Sequence, residues 1–166
     1  RGVERIIDNV SGAEQDERGW ITRLQRENGE ALEADLFIDC TGFRSMLLGK
    51  TLEEPFDSYA DYLFNNTACA LRFPYEDPTN EMLSYTNCTA LSSGWVWEVP
   101  LFTRKGSGYV YCDRYLSSDE AEAEFRNYLG ADRVDDIEAR HIPSRVGKHK
   151  NVWKHNCVAI GLAAGF

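Results

Sequence analysis

Two short segments far apart in the chain are apolar without polar alternation, and a glycine follows each of them. They are residues 36–38, which lead to Gly42, and residues 157–160, which lead to Gly161. Strands of this kind are covered on both faces, as in a parallel sheet flanked by helices. They predict an α/β fold in which a ligand binds at the carboxyl ends of the strands.

The residues around these two segments indicate part of a larger fold. Residues 3–35 predict two polar-alternating strands, an acidic loop and a turn at Asn28 and Gly29. No complete strand–helix–strand unit precedes residue 36, the chain begins without methionine, and it stops inside the apolar run GLAAGF. We therefore expect a fragment that lacks a preceding and a following segment.

The middle of the chain has the pattern of a mainly antiparallel sheet. Four strand-like segments between residues 65 and 115 are separated by Pro, Ser and Gly, namely TACALRF, MLSYTNCTA, GWVWEV and GYVYCDRYL. We interpret residues 104–108 as the turn between the last two strands. The G-x-G of Gly106 and Gly108 lacks the third glycine and the following helix of a phosphate-binding loop.

Residues 117–130 carry the clearest helix signature. Ser117 and Glu120 form a capping-box pattern, and Gly130 suits the C-terminal cap. An apolar stripe that includes Phe125 predicts one buried face. We interpret the acidic residues of the opposite face as solvated.

The overall charge and the pattern of apolar runs exclude two classes of partner. The chain has a net charge of −9 and an isoelectric point near 4.8, which opposes binding to phosphate backbones and anionic lipid. Polar or charged residues interrupt every hydrophobic run before it reaches membrane-spanning length. We therefore expect neither a nucleic-acid partner nor a membrane partner.

The five cysteines are widely spaced and mostly lie in strand-like apolar segments. This pattern favours buried free thiols in a reducing compartment, and we predict a cytoplasmic protein. No C-x-x-C occurs, and the three histidines lack metal-ligand spacing. The sequence therefore predicts no metal site.

The segment GWVWEVP, residues 94–100, places two tryptophans on one face of a strand, because side chains alternate. Trp95 and Trp97 together present a large apolar area. From the residues alone two interpretations stay open. The pair packs a core, which is the commoner role of such residues, or it forms a barrier beside a site.

Several motifs, taken in order, resemble the middle of the flavin-dependent tryptophan halogenases. They are ADLFIDCTGFRS, PFDSYADYLFNNTACALRFPY, GWVWEVPL, GYVYCDRYLSSDEAEAEFRNYLG and NCVAIGLAAGF, which are spread from residue 34 to residue 166. The W-x-W-x-I-P motif of that family corresponds to Trp95, Trp97 and Pro100, with Val99 in place of isoleucine. The resemblance implies an FAD-binding fold like that of glutathione reductase or the aromatic hydroxylases, with an inserted, mainly antiparallel substrate-side sheet.

The resemblance also implies that the chain divides into three parts. Residues 1–45 are expected to belong to the FAD-binding domain and to include a small antiparallel sheet. Residues 46–148 are expected to form the substrate-side sheet, with one helix near 118–129. Residues 149–166 are expected to hold a return strand and the start of an FAD-facing helix.

The activity that the resemblance implies is halogenation of an aromatic small molecule. Tryptophan or another indole is the expected substrate. A separate flavin reductase would supply reduced FAD, and oxygen and chloride or bromide would be consumed. The resulting hypohalous acid would travel through a tunnel to an essential lysine, while Trp95, Trp97 and Pro100 separate flavin from substrate. Two alternatives are a related FAD-dependent monooxygenase or reductase, which acts directly on its substrate, and a degenerate flavin-fold domain without catalysis.

Two segments of the chain resemble those that lie beside FAD in the family. The cofactor-facing residues implied are Asp39, Thr41, Gly42, Gly161, Leu162, Ala163, Ala164 and Gly165. Gly42 and Gly161 are the strongest candidates, because a missing Cβ lets the backbone approach a cofactor, whereas Asp39 has the alternative role of capping a turn. The family's essential lysine and glutamate match no residue here, so we expect no catalytic residue in this chain and no activity from it alone.

Overall fold

The computed structural model describes residues 2–166. The strands are β1 (Val10–Gln15), β2 (Ile21–Arg26), β3 (Ala31–Glu33), β4 (Phe37–Asp39), β5 (Phe56–Ser58), β6 (Thr67–Phe73), β7 (Asn87–Leu91), β8 (Gly94–Pro100), β9 (Lys105–Tyr111), β10 (Arg140–Pro143), β11 (Gly147–His149), β12 (Trp153–Lys154) and β13 (Cys157–Ala159). The α-helices are α1 (Pro78–Glu81), α2 (Ser118–Leu129) and α3 (Ala131–Val134). Short 3-10 helices occupy Gly42–Arg44 and Gly161–Ala163, and a π-helical turn occupies Met46–Thr51.

The chain divides into two compact units. The first comprises the described residues up to Ser58 together with Gly147–Phe166, and the second comprises Tyr59–Val146. The expected boundaries lay after residues 45 and 148. The observed division differs because the turn Met46–Thr51 and strand β5 belong to the first unit, where β5 pairs with β11.

The first unit contains three small sheets. Strands β1, β2 and β3 form an antiparallel meander, β5 pairs with β11, and β4 lies beside β13 in a sheet that β12 completes. The pair β4 and β13 is parallel, with Ala159 opposite Asp39. The two apolar segments predicted to be parallel-sheet strands therefore lie side by side.

Among the described residues, one face of β4 is covered and the other is exposed. Phe37 is buried, whereas Ile38 is 56% exposed. Alternate residues of a strand point to opposite faces, and the covered face is the one that meets the turn Met46–Thr51. The core of this unit consists of Ile21, Phe37, Leu47, Leu48, Leu52, Cys157, Ala159 and Ala163.

The second unit contains one antiparallel sheet with the strand order β10-β6-β9-β8-β7. The prediction of an antiparallel layer in the middle of the chain is confirmed. Helix α2 covers one face of the sheet and buries Phe125 in the core. The buried core residues are Cys69, Leu71, Phe73, Val96, Tyr109, Tyr111, Ala121, Phe125 and Val134.

The start of α2 has the capping box that its sequence predicts. The Ser117 hydroxyl accepts a hydrogen bond from the Glu120 amide (3.3 Å), and the Glu120 carboxylate accepts one from the Ser117 amide (3.0 Å). The interpretation of its other acidic residues as solvated is wrong for two of them. Glu124 accepts a hydrogen bond from the Tyr109 hydroxyl (2.9 Å), and Glu122 lies 2.7 Å from His141 Nε2.

The G-x-G at residues 106–108 lies inside strand β9 and does not form the predicted turn. The chain reverses earlier, where the Leu101 amide donates to the Arg104 carbonyl (2.9 Å). Strand β10, which pairs with β6, was not predicted from the sequence. Among residues 2–166, no helix has the length and apolar character needed to cross a membrane.

Candidate functional site

The carboxyl ends of β4 and β13 carry two glycines in the left-handed conformation. Gly42 has a φ of +65° and Gly161 a φ of +59°. Apart from the adjoining backbone of the same turn, no described atom lies within 4 Å of the position that a Cβ would take at either residue. The positive φ favours glycine, and the open space leaves both backbones accessible to a ligand. We call this pair of residues the glycine edge.

The Asp39 side chain fixes the loop that carries Gly42. Its buried carboxylate accepts hydrogen bonds from the Thr41 amide (3.0 Å) and hydroxyl (2.6 Å) and from the amides of Leu47 (2.8 Å) and Leu48 (2.9 Å). Burial alone would raise the pKa of Asp39, but the hydrogen bonds from Thr41, Leu48 and Leu47 outweigh it and hold this pKa below its ordinary value. The carboxylate therefore organises the loop from inside the protein.

The segment after β13 is a 3-10 turn where the sequence predicted the start of a longer helix. Gly161 and Leu162 are exposed, whereas Ala163 is buried in the core and Ala164 is half-buried. A Cβ on Gly165 would lie 2.6 Å from the Gly147 carbonyl oxygen, so the space beside that glycine is filled by β11. Of the predicted residues in this segment, Gly161 and Leu162 are the ones open to a ligand.

A polar cleft of about 390 Å³ lies beside Thr41 in the same unit. It is lined by Asp8, Asn9, Val10, Glu27, Thr41, Arg44 and Met46. No local pattern predicts this cleft, because its walls come from the segment before β1, the β2–β3 turn and the 3-10 helix after β4. The cleft extends the accessible surface on the Gly42 side of the glycine edge.

Trp95 and Trp97 lie on the sheet face opposite α2, as strand alternation predicted. Val96 between them is fully buried in the α2-side core. Across the strands, Trp95 lies opposite Val110 and Trp97 lies opposite Gly108. On the next strand, Ala68 and Ala70 occupy the matching positions. We call the six residues Ala68, Ala70, Trp95, Trp97, Gly108 and Val110 the tryptophan face.

The indole of Trp97 lies directly against the backbone of β9. A Cβ on Gly108 would come within 2.5 Å of Trp97 Cζ2, and a Cβ on Gly106 would lie 3.7 Å from Cζ3. The two glycines therefore form a flat seat for the indole ring. The sequence feature that corresponds to this contact is the pair of glycines two residues apart. We had interpreted that pair as part of a turn, but it lies in the strand opposite Trp97.

Pro100 ends β8 and lies opposite Lys105. It is half-buried and lines a shallow cleft of about 240 Å³. The residues of that cleft are Leu83, Ser84, Tyr85, Thr86, Val99 and Pro100. Pro100 therefore bounds the segment that carries the two tryptophans and is not part of the tryptophan face.

Comparison with known proteins identifies the family. The sequence profile described as tryptophan halogenase matches residues 1–166. The chain belongs to the tryptophan halogenase family. The resemblance inferred from the ordered motifs is confirmed.

Individual tryptophan halogenases match the chain from end to end. It is 47% identical to the 7-chloro-L-tryptophan 6-halogenase KtzR of Kutzneria sp. (strain 744), over 100% of this chain and 32% of that protein. The crystal structure of the tryptophan 6-halogenase SttH from Streptomyces toxytricini superposes with a TM-score of 0.92 at 44% identity, over 100% of this chain and 32% of that one. Tar14, a tryptophan C-6 flavin-dependent halogenase (chlorinase) from taromycin biosynthesis, superposes with a TM-score of 0.90 at 46% identity, over 97% of this chain and 32% of that one. The chain thus spans about a third of the length of these relatives.

Proposed function

We propose that the whole protein containing these residues is a flavin-dependent halogenase that chlorinates or brominates tryptophan or another indole. The observation that carries this proposal is the tryptophan face. Both tryptophans of the W-x-W motif lie on it, and the indole of Trp97 packs against Gly108. The family match over the whole chain and the substrates named for the relatives support it.

FAD fits the glycine edge. Two adjacent strand ends there present exposed or half-buried backbone in the left-handed conformation, with open space where side chains would stand. We propose that Gly42, Gly161 and Leu162 contact the cofactor, that Thr41 borders it, and that Asp39 holds the loop in place. When bound and reduced by a separate flavin reductase, FAD would supply the two electrons that activate oxygen, and the oxygen is the oxidant of the halide.

The tryptophan face contributes separation and not chemistry. Aromatic and small apolar side chains exclude water and offer no proton donor or acceptor aligned for transfer. Seated on glycine, Trp97 has little freedom to move, while Trp95 beside it is 39% exposed. We propose that this surface keeps the aromatic substrate away from the flavin, so that the halide and not the indole is oxidised there.

The five cysteines are free thiols, three of them buried. This supports the proposal that the protein works in the reducing cytoplasm.

The reaction is tested with the whole protein, a flavin reductase, FAD, oxygen and tryptophan, with the products separated by mass spectrometry. We expect a product in which chlorine or bromine replaces one hydrogen, formed only when the corresponding halide is present. Omitting the reductase or the oxygen should abolish it. A hydroxylated indole formed equally well without halide would overturn the proposal in favour of a monooxygenase.

A further inference from the structure

Three side chains with metal-binding atoms converge on the α2 side of the second unit, outside both sites described above. They are Cys69 on β6, His141 on β10 and Glu122 on α2. Their nearest ligand atoms, one from each residue, all lie within 4.8 Å of one another. The sequence concealed this cluster, because its members are 19 to 72 residues apart and share no spacing typical of a zinc site.

The fold sets the positions of all three donors. Cys69 and His141 are directly opposite each other in the antiparallel pair of β6 and β10, so their side chains lie on the same face of the sheet. That face is the one covered by α2, whose Glu122 projects between them and lies 2.7 Å from His141 Nε2. Three different elements thus hold one thiol, one imidazole and one carboxylate together.

We propose that Cys69, Glu122 and His141 bind a divalent transition metal, zinc in preference to others. Thiolate, imidazole and carboxylate are the zinc ligands of proteins, and three such ligands leave a fourth position for water. Ligand atoms of a tetrahedral zinc site lie roughly 3–4 Å apart, so closing the site requires movement of about 1 Å. The His141 side chain is the most exposed of the three, so we assign this movement to it. Its exposure also gives solvent access to the site.

The second partner of Glu122 orients it for this role. Arg126 Nε donates to Glu122 Oε1 at 2.8 Å, which leaves Oε2 directed at His141. The guanidinium is itself held by the carbonyls of Val134 and Ile137. The hydrogen bond from His141 and the Arg126 guanidinium keep the pKa of Glu122 below its ordinary value, so the carboxylate is charged and available to a cation.

A metal bound to Cys69 would take the place of the thiol proton. Burial, with the nearby Glu122 carboxylate, raises the pKa of Cys69 to about 11, so the metal-free thiol is protonated at neutral pH. Ligation replaces the S–H bond by a metal–sulfur bond and releases that proton to solvent, while the His141 proton moves to Nδ1 so that Nε2 donates its lone pair. The bound metal would tie the edge strand β10 to β6 and α2.

Cobalt(II) titration of the reduced, metal-free whole protein tests the site by absorbance, because a cobalt–thiolate bond gives an intense charge-transfer band. We expect a band that zinc displaces and that Cys69→Ser abolishes. His141→Asn, which alters a half-exposed side chain, should weaken cobalt binding by roughly tenfold or more. Cys112→Ser, the matched change at another buried thiol of the same unit, should leave the band intact.

Thermal unfolding gives a second readout that does not depend on halogenation. Added zinc should raise the melting temperature of the wild type and of Cys112→Ser but not of His141→Asn, and a chelator should reverse the rise. No cobalt–thiolate band in the folded wild type, or a band that survives both Cys69→Ser and His141→Asn, would overturn the metal site. Either result leaves the halogenase proposal untouched, since that rests on other residues.

Discussion

Replacing Gly108 with alanine is expected to destabilise the whole protein by about 1–3 kcal/mol, because the new methyl group overlaps the Trp97 indole. The Cβ would lie 2.5 Å from Cζ2 and 2.7 Å from Cε2 of that ring, and β9 lies in the middle of its sheet. The ring must then leave its seat or the strand must shift. Chemical denaturation measured by circular dichroism gives the change in the free energy of unfolding.

The matched control is Gly12→Ala, another glycine inside a strand. A Cβ there meets only Gln25 Oε1, at 3.4 Å, and that side chain is flexible. This variant should be as stable as the wild type or slightly more stable, because alanine reduces the freedom of the unfolded chain. A double-mutant cycle with Trp97→Ala should show strong coupling to Gly108→Ala, since removing the ring removes the clash. Additive effects would show that Gly108 does not seat Trp97.

Replacing Asp39 with alanine is expected to cost about 2–4 kcal/mol, because it leaves buried amides of Leu47 and Leu48 without acceptors. The loop that carries Thr41 and Gly42 would lose its anchor at the same time. We therefore also expect weaker binding of FAD, measured by titration with flavin fluorescence. Asp35→Ala, an exposed carboxylate four residues earlier, should change the free energy of unfolding by less than roughly 0.5 kcal/mol.

The effect of Asp39 should depend on pH with a defined sign. Its pKa is lower in the folded than in the unfolded protein, so its stabilising contribution is present above the unfolded-state pKa. That contribution is lost as the pH falls through the folded-state pKa. The difference in stability between wild type and Asp39→Ala should therefore shrink in acid. A difference that stays constant from neutral to strongly acidic pH would contradict the role assigned to this carboxylate.

Elements governed by local rules could be predicted from the sequence. The capping box at Ser117 and Glu120 and the apolar stripe through Phe125 located α2, and alternation placed Trp95 and Trp97 on one face. Residues 36–38 and 157–160 were identified as strands because they combine apolar runs with a following glycine. These features depend on neighbours within a few positions of the chain.

Features that depend on cross-strand neighbours could not be predicted. The role of Gly106 and Gly108 emerges only from the register that sets Trp97 opposite Gly108. The turn Met46–Thr51 carries no alternation, and its position follows from the hydrogen bonds of its amides to Asp39. Strand β10 has a weak local pattern and is defined by its pairing with β6. The proximity of Cys69 and His141 could not be predicted either, because it depends on the same pairing of β10 with β6.

The barrier role of the tryptophan face is tested most directly by the hydrogen peroxide released per halogenated product during turnover of the whole protein. Trp95→Ala suits this test because Trp95 is 39% exposed, so truncating its side chain leaves the core intact. The control is Trp20→Ala, which changes a tryptophan of similar exposure, 40%, in the other unit. We expect more peroxide, or oxygenated indole, per halogenated product for Trp95→Ala and an unchanged ratio for Trp20→Ala. An unchanged ratio and unchanged regioselectivity in folded Trp95→Ala would contradict the barrier role.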